Sequence, residues 1–183
     1  MFCLALGEDA ELRLLEARHA ELLFALVEQN RAHLRRWLPW VEGNQSVADS
    51  HTFIRNALQQ FANNNGLQAG IWFRGTLVGV IGHNYIDWSN GKTELGYWLS
   101  AAYQGQGLMT RACRALTNYS FNELRLNRVE IHCAVGNVRS RAIPERLGFT
   151  QEGTLRQAGW LYDHYVDLVV YGMLAAEWPR RPS

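Results

Sequence analysis

Two glycines one residue apart stand in YQGQGLMT at positions 103–110, directly behind an alternating run, TELGYWLS, at 93–100. Where a strand hands over to a helix, the first backbone N–H groups of the helix lack partners. Glycines at that point let the chain turn tightly and approach a ligand closely. Such a junction can hold a phosphate on backbone amides without a lysine. Gly105 and Gly107 suit that chemistry and Thr110 adds a hydroxyl donor, although the same glycines also suit a plain tight turn and helix cap. The spacing is neither G-x-G-x-x-G nor G-x-x-x-x-G-K-[ST], so dinucleotide and P-loop readings fail on pattern. Glu94 lies on the preceding strand, where a partly buried carboxylate can accept a proton, or can equally be an edge charge or ion-pair partner. Asn137 and Ser140 are three residues apart at a helix start, the spacing of an N-cap that also presents a hydroxyl. His83, His132 and His164 fall on separate strands without metal-ligand spacing, so they read as sheet histidines or substrate contacts and no metal is expected.

The elements that must position these residues follow from periodicity. ELRLLE at 11–16 alternates as a strand, and ARHAELLFALVEQNRAHL at 17–34 carries Leu22, Leu23, Leu26 and Val27 on one helical stripe. RRWLPWV at 35–41 breaks that helix at Pro39 and exposes at least one large ring, Trp37 or Trp40. A second helix runs from Ser46 to about Asn65, with Ser46 and Asp49 at capping-box spacing. QAGIWFR and LVGVIGHNYID form a hairpin about a GT turn, and Asn90-Gly91 marks the next turn, into TELGYWLS. A helix over 108–124 leads to the apolar strand RVEIHCAV at 128–135, then to a short helix within 136–149 that ends at Gly148. QEGTLRQAGWLYD and HYVDLVVYGML close the chain as a hairpin, and RRPS at 180–183 reads as a frayed tail. The helix between the strands at 93–100 and 128–135 permits a parallel crossover; the rest of the sheet is mainly antiparallel. The expected architecture is α+β, a mixed sheet flanked by helices.

Composition bounds the function. The 183 residues suit one domain, 48% are apolar and 19% charged, and the formal net charge is +1, with no basic patch of the kind nucleic acid requires. Three widely spaced cysteines without a C-x-x-C pair fit a reducing, cytoplasmic setting. The N-terminus makes a poor signal peptide, and no apolar run reaches the length of a membrane span.

The layout, Gln104-x-x-Gly107-x-Met109, and the later NVRSRAIPERLGF from Asn137 to Phe149 resemble the Gcn5-related N-acetyltransferase (GNAT) superfamily. The closer likeness is to its bacterial Rim-type branch, which acetylates the N-termini of ribosomal proteins. Met109 departs from the superfamily's usual Gly or Ala, but the group that matters there is a backbone amide. The resemblance implies a GNAT fold of one domain over 1–183, a splayed pair of parallel strands, and acetyl-coenzyme A as cosubstrate. It implies coenzyme contacts from Trp98, Leu99, Gln104, Gly105, Gln106, Gly107, Leu108, Met109, Thr110, Asn137 and Ser140. Beside the acetyl group so placed, Glu94 is the candidate to take the amine proton, and Ser140 resembles the family hydroxyl near the coenzyme sulfur that assists the leaving thiolate; the tyrosine used by many members has no counterpart at Ala142–Glu145, which leaves the general acid open. Trp37, Trp40, His132 and Tyr162 are candidate acceptor contacts. The acceptor is a protein N-terminus, possibly ribosomal, with a small amine as the alternative, and a non-catalytic acyl-coenzyme A sensor as the competing class. No cysteine is paired with a base, so transfer is expected to be direct, in a ternary complex. The aromatic terminal hairpin is compatible with a homodimer.

Overall fold

The structure, a computed structural model, describes residues 2–179; the tail at 180–183 lies outside them. The strands are β1 (Cys3–Ala5), β2 (Ala10–Leu14), β3 (Leu67–Phe73), β4 (Thr76–Asp87), β5 (Lys92–Leu99), β6 (Arg128–Ala134), β7 (Thr150–Leu161) and β8 (His164–Leu174). The helices are α1 (Ala20–Arg35), α2 (Val47–Ala62), α3 (Leu108–Asn122) and α4 (Val138–Arg146). All eight strands form one sheet in the order β1-β2-β3-β4-β5-β6-β8-β7. Only β5 and β6 pair in parallel. This is the expected mixed, mainly antiparallel sheet with one parallel crossover, made by α3.

Local chemistry accounts for most boundaries. Ser46 caps α2 by accepting a hydrogen bond from the Asp49 N–H at 3.3 Å, and Asp49 accepts in turn from the Gln45 N–H and the Ser46 hydroxyl. The β3–β4 turn is centred on Arg74-Gly75, with φ of 49° and 78°, one residue earlier than the expected Gly-Thr turn. Two successive left-handed residues match the twist of the flanking strands. β1 is absent from the sequence reading: three residues carry no readable period, and they become a strand only by pairing antiparallel with β2. The segment from Ala17 begins as a 3-10 turn before α1.

Alternation places the two faces. Leu95, Ile131 and Cys133 point to the face packed against α3, with Leu108, Ala112, Cys113 and Leu116. Trp98 and Val80 point to the other face, against Leu23 and Leu26 of α1 and Ile54 of α2. Among the described residues no helix is long and apolar enough to cross a membrane.

A buried histidine–serine pair lies beside the first of these cores. His83 on β4 is fully buried; its Nε2 is 2.8 Å from the Ser120 hydroxyl, which donates to the Leu116 carbonyl. The serine proton is thus committed, so Nε2 carries the hydrogen of the imidazole and Nδ1 is left without a partner. Burial lowers the pKa of His83 from 6.5 to about 4. The folded state therefore binds this proton less readily than the unfolded chain. Stability is full above about pH 6.5 and falls as pH drops toward 4, by roughly 3 kcal/mol over the full shift. Chemical denaturation at pH 7.5 and pH 4.5 should show this loss in the wild type and a smaller one in His83→Gln.

Candidate active site

The parallel ladder between β5 and β6 is short. It pairs Lys92 with Arg128 through Leu95 with Ile131 and then stops, although β5 continues to Leu99 and β6 to Ala134. Each strand stays paired on its other side, β5 with β4 out to Leu99 and β6 with β8 out to Ala134. The wedge that opens separates Gly96–Leu99 from His132–Ala134, as the splayed-strand expectation requires.

Two cavities meet at this wedge. One, of about 700 Å³, is lined by Glu94, Gly96, Trp98, His132 and Cys133, and by Trp37, Trp40, Asn44 and Phe53 from the α1–α2 side. The other, of about 1180 Å³, runs along Leu99, Gln104, Gly105 and Gly107–Arg111, beside α4. Trp37, Leu38, Tyr97, Trp98, Asn137 and Ser140 border both. Their charges are segregated. Among the described residues, the smaller cavity has Glu94 and Asp49 on its walls and no Lys or Arg. The larger has Arg36, Arg111, Arg114, Arg139 and Arg146 and no Asp or Glu.

The glycine junction opens onto the larger cavity. Gly105 and Gly107 have φ of 77° and 73°, and a Cβ built at either would meet nothing within 4 Å. Backbone conformation demands glycine here, and the space above is open. Gly107 is the N-cap of α3 and no side chain caps the helix, so its leading N–H groups face the cavity. Thr110 accepts a hydrogen bond from Arg146 Nη1 at 2.9 Å, which leaves its own O–H free to donate. Gln104 accepts from Arg139 and lies 3.0 Å from His33 Nε2. An uncapped helix start ringed by arginines has the electrostatics to accept a polyanion.

At the neck, Asn137 caps α4, its Oδ1 accepting from the Ser140 N–H at 3.3 Å. Ser140 Oγ lies 3.3 Å from Cys133 Sγ, a buried thiol whose pKa is raised by that burial. Pro144 sits inside α4 and has no N–H for the carbonyl four residues back, which is that of Ser140. The Tyr97 hydroxyl donates to this freed carbonyl at 2.9 Å. Burial raises the Tyr97 pKa well above 10, so the phenol stays neutral and donating. Sequence reasoning missed Tyr97; the proline inside the helix was the available signal.

Glu94 is positioned through Gly96. A Cβ at Gly96 would fall 2.5 Å from Asn84 Oδ1, and the Asn84 amide, on a bulge of β4, donates to Glu94 Oε1 at 2.9 Å. The other Glu94 oxygen lies 3.5 Å from His132 Nδ1. The three histidines of the sequence reading sit apart, each with its own partner: His83 with Ser120, His132 with Glu94 and Glu130, His164 with Asp163. Trp40 lines the smaller cavity and Trp37 borders both. Tyr162 lines neither; its hydroxyl donates to the Leu38 carbonyl and Arg35 stacks 4.5 Å over its ring. Gln106 is exposed and lines neither cavity.

Comparison with known proteins agrees with this geometry. Residues 10–150 match the model of the acetyltransferase (GNAT) domain. The chain is 43% identical over 180 residues to "Putative ribosomal N-acetyltransferase YdaF" of Bacillus subtilis, covering 97% of this chain and 98% of that one. It is 32% identical to the ribosomal-protein-serine acetyltransferase of Escherichia coli, over 92% and 94% of the two chains. The structure of RimL, a ribosomal alpha-N-protein acetyltransferase in complex with coenzyme A, superposes with a TM-score of 0.92 at 28% identity, covering 94% and 98% of the chains.

The Tyr97 contact is directly testable. Tyr97→Phe orphans the Ser140 carbonyl and should cost about 1–3 kcal/mol by chemical denaturation. Adding Pro144→Ala supplies an N–H to that carbonyl and should recover part of the loss.

Proposed function

This chain belongs to the GNAT acetyltransferase family and is an acetyl-coenzyme A-dependent N-acetyltransferase, and on that premise we propose that its acceptor is the N-terminal α-amine of a protein, a ribosomal protein first among candidates. The observation that carries the reading is the charge division between the two cavities. A cationic amine fits the carboxylate-bearing chamber, and a polyphosphate fits the arginine-lined one. A free amino acid would bring its own carboxylate toward Glu94, with no Lys or Arg on the wall to receive it. A polyamine gains little, because Asp49 is committed to the α2 cap and Glu94 alone is left to face a cation. A peptide offers one ammonium followed by uncharged amides and side chains, which suit the rims of Trp37, Trp40 and Phe53.

Acetyl-coenzyme A supplies the activated acyl group. The N–H groups at the start of α3, with Gly105, Gly107 and Thr110, receive its phosphates, and Arg139 and Arg146 neutralise them. Asn137 and Ser140 border its reactive end at the neck. The Ser140 hydroxyl donates to the departing sulfur. Glu94, oriented by Asn84, accepts the proton of the amine, directly or through one water. Transfer is direct: Cys113 and Cys133 are buried, their pKa values raised by burial, and neither is positioned as a thiolate.

Three measurements test this. Peptides copying ribosomal-protein N-termini should be acetylated at the α-amine with kcat/KM well above that for spermidine or free amino acids; preference for either small amine overturns the acceptor assignment. Gly107→Val should weaken coenzyme A binding at least about tenfold by calorimetry, since a β-branched residue resists φ of 73° and projects into the open cavity. Glu94→Gln should slow single-turnover transfer on the order of 10²-fold at pH 7. The deficit should shrink above about pH 8, where an α-amine loses its proton unaided. Equal rates in the two proteins at every pH would reduce Glu94 to a structural residue.

A further inference from the structure

Acetylating an ammonium group leaves one proton over. The C–N bond forms and the C–S bond breaks; of the two protons the nitrogen loses, one goes to the thiolate and one must leave the protein. Glu94 stands at the start of that exit, and the structure carries it further.

Glu94 and Glu130 are register partners in the parallel ladder of β5 and β6. Their carboxylates project from the same face of adjacent strands, which is repulsive unless positive charge answers it. Glu130, only 8% exposed, is answered by Arg128 at 2.7 Å and Lys92 at 3.8 Å. Burial alone would raise its carboxyl, but the hydrogen bond and charge of Arg128, with Lys92 and His132, outweigh this and hold it below the usual range. Glu94 has no Lys or Arg within 4 Å among the described residues. Between the two carboxylates stands His132, its Nε2 3.1 Å from Glu130 Oε2 and its Nδ1 3.5 Å from Glu94 Oε2. An anchored carboxylate only accepts, so Glu130 holds the hydrogen of the neutral ring on Nε2, and Nδ1 stands 3.5 Å from Glu94 on the side of the acceptor cavity, an acceptor for the proton once Glu94 has taken it up.

We propose that His132 takes over the proton that Glu94 receives from the amine, and that Glu130 is the positioning residue that fixes the His132 ring and tautomer. The inference rests on the reading of Glu94 as the first proton acceptor. The amine proton passes to Glu94 and then to Nδ1 of His132; the resulting imidazolium lies between two carboxylates and releases its proton to solvent as product leaves. Glu94 is thereby reset as an anion before the next amine enters. The charged groups in contact with the imidazole are Glu94 from β5 and Glu130 from its own strand; behind them Lys92 and Arg128 pair with Glu130, Glu152 of β7 pairs with Arg128, and Tyr85 of β4 lies in the field of both carboxylates. On β8 the residue opposite is Val170, which adds no charge.

The test combines a readout on the unliganded protein with one on the reaction. Imidazole nitrogen NMR, assigned with His132→Gln, should show the neutral ring of His132 with its hydrogen on Nε2 in the wild type. Glu130→Gln should lose that single tautomer and Glu130→Asp should keep it. A hydrogen on Nδ1 in the wild type overturns the proposal. Single-turnover acetylation across pH, with whichever amine the wild type accepts, gives the second readout. His132→Gln should slow transfer about tenfold or more with coenzyme affinity unchanged. Glu130→Gln should change the shape of the profile and not only its height, because the ring loses the carboxylate that fixes its tautomer, and Glu130→Asp should restore it. Should Glu130→Gln not fold, the wild-type tautomer and the His132→Gln profile still decide. Profiles of His132→Gln and Glu130→Gln that superpose on the wild type after uniform scaling sink the relay alone, provided Glu94→Gln is slow. A wild-type rate in Glu94→Gln sinks the base assignment and the relay with it.

Discussion

The end of one hydrogen-bonded ladder organises this protein. β5 and β6 pair for four register positions and then part, and the two cavities meet in the gap. Unpaired strand edges are costly when buried, so the gap survives only because each strand is fully engaged elsewhere. β4 holds β5 to its last residue and β8 holds β6 to its last. The Tyr97 hydroxyl reaches across to a carbonyl that Pro144 has left free, fixing α4 over the opening. The wedge is therefore a built feature of the core.

Charge then divides the gap into two chambers. Arginines from α3 and α4 surround the uncapped start of α3, and among the described residues carboxylates without Lys or Arg line the chamber on the other side. This division suits the proposed phosphate-rich donor and ammonium-bearing acceptor, one at each mouth, and Asn137 and Ser140 border both chambers. Both residues serve the α4 terminus as well, so the cap that begins the helix also sets the position of the hydroxyl.

The second half of α1 ties the chambers together. Asn30 accepts from the Ser100 hydroxyl and the Ala101 N–H, fixing the end of β5 just before the glycine junction. Arg31 donates to the carbonyls of Val41 and Asn44, holding the segment that bears Trp40. Arg35 lies over Tyr162, whose hydroxyl ties the β7–β8 turn to Leu38. One helix thus anchors the approach to the glycine junction, the segment bearing Trp40 and the tip of the terminal hairpin, which explains why so polar a helix packs against the sheet.

What the sequence determined by itself was everything governed by neighbours along the chain. The glycines at 105 and 107 were readable because positive φ is a local demand, Asn137 and Ser46 because caps act within one turn, and the hairpins because strand period and Asn-Gly or Gly turns are short-range signals. Only the tertiary structure decided what depends on register between distant strands. Glu94 and Glu130 are 36 residues apart in the chain yet side by side in the sheet, and His132 stands between them only because α3 closes the crossover in that register. Arg146 reaching Thr110, Tyr97 reaching the Ser140 carbonyl, and β1 becoming a strand at all have the same origin. Each requires two segments to be brought together by burial of a shared core. That burial is a property of the whole sheet, and no short stretch of sequence records it.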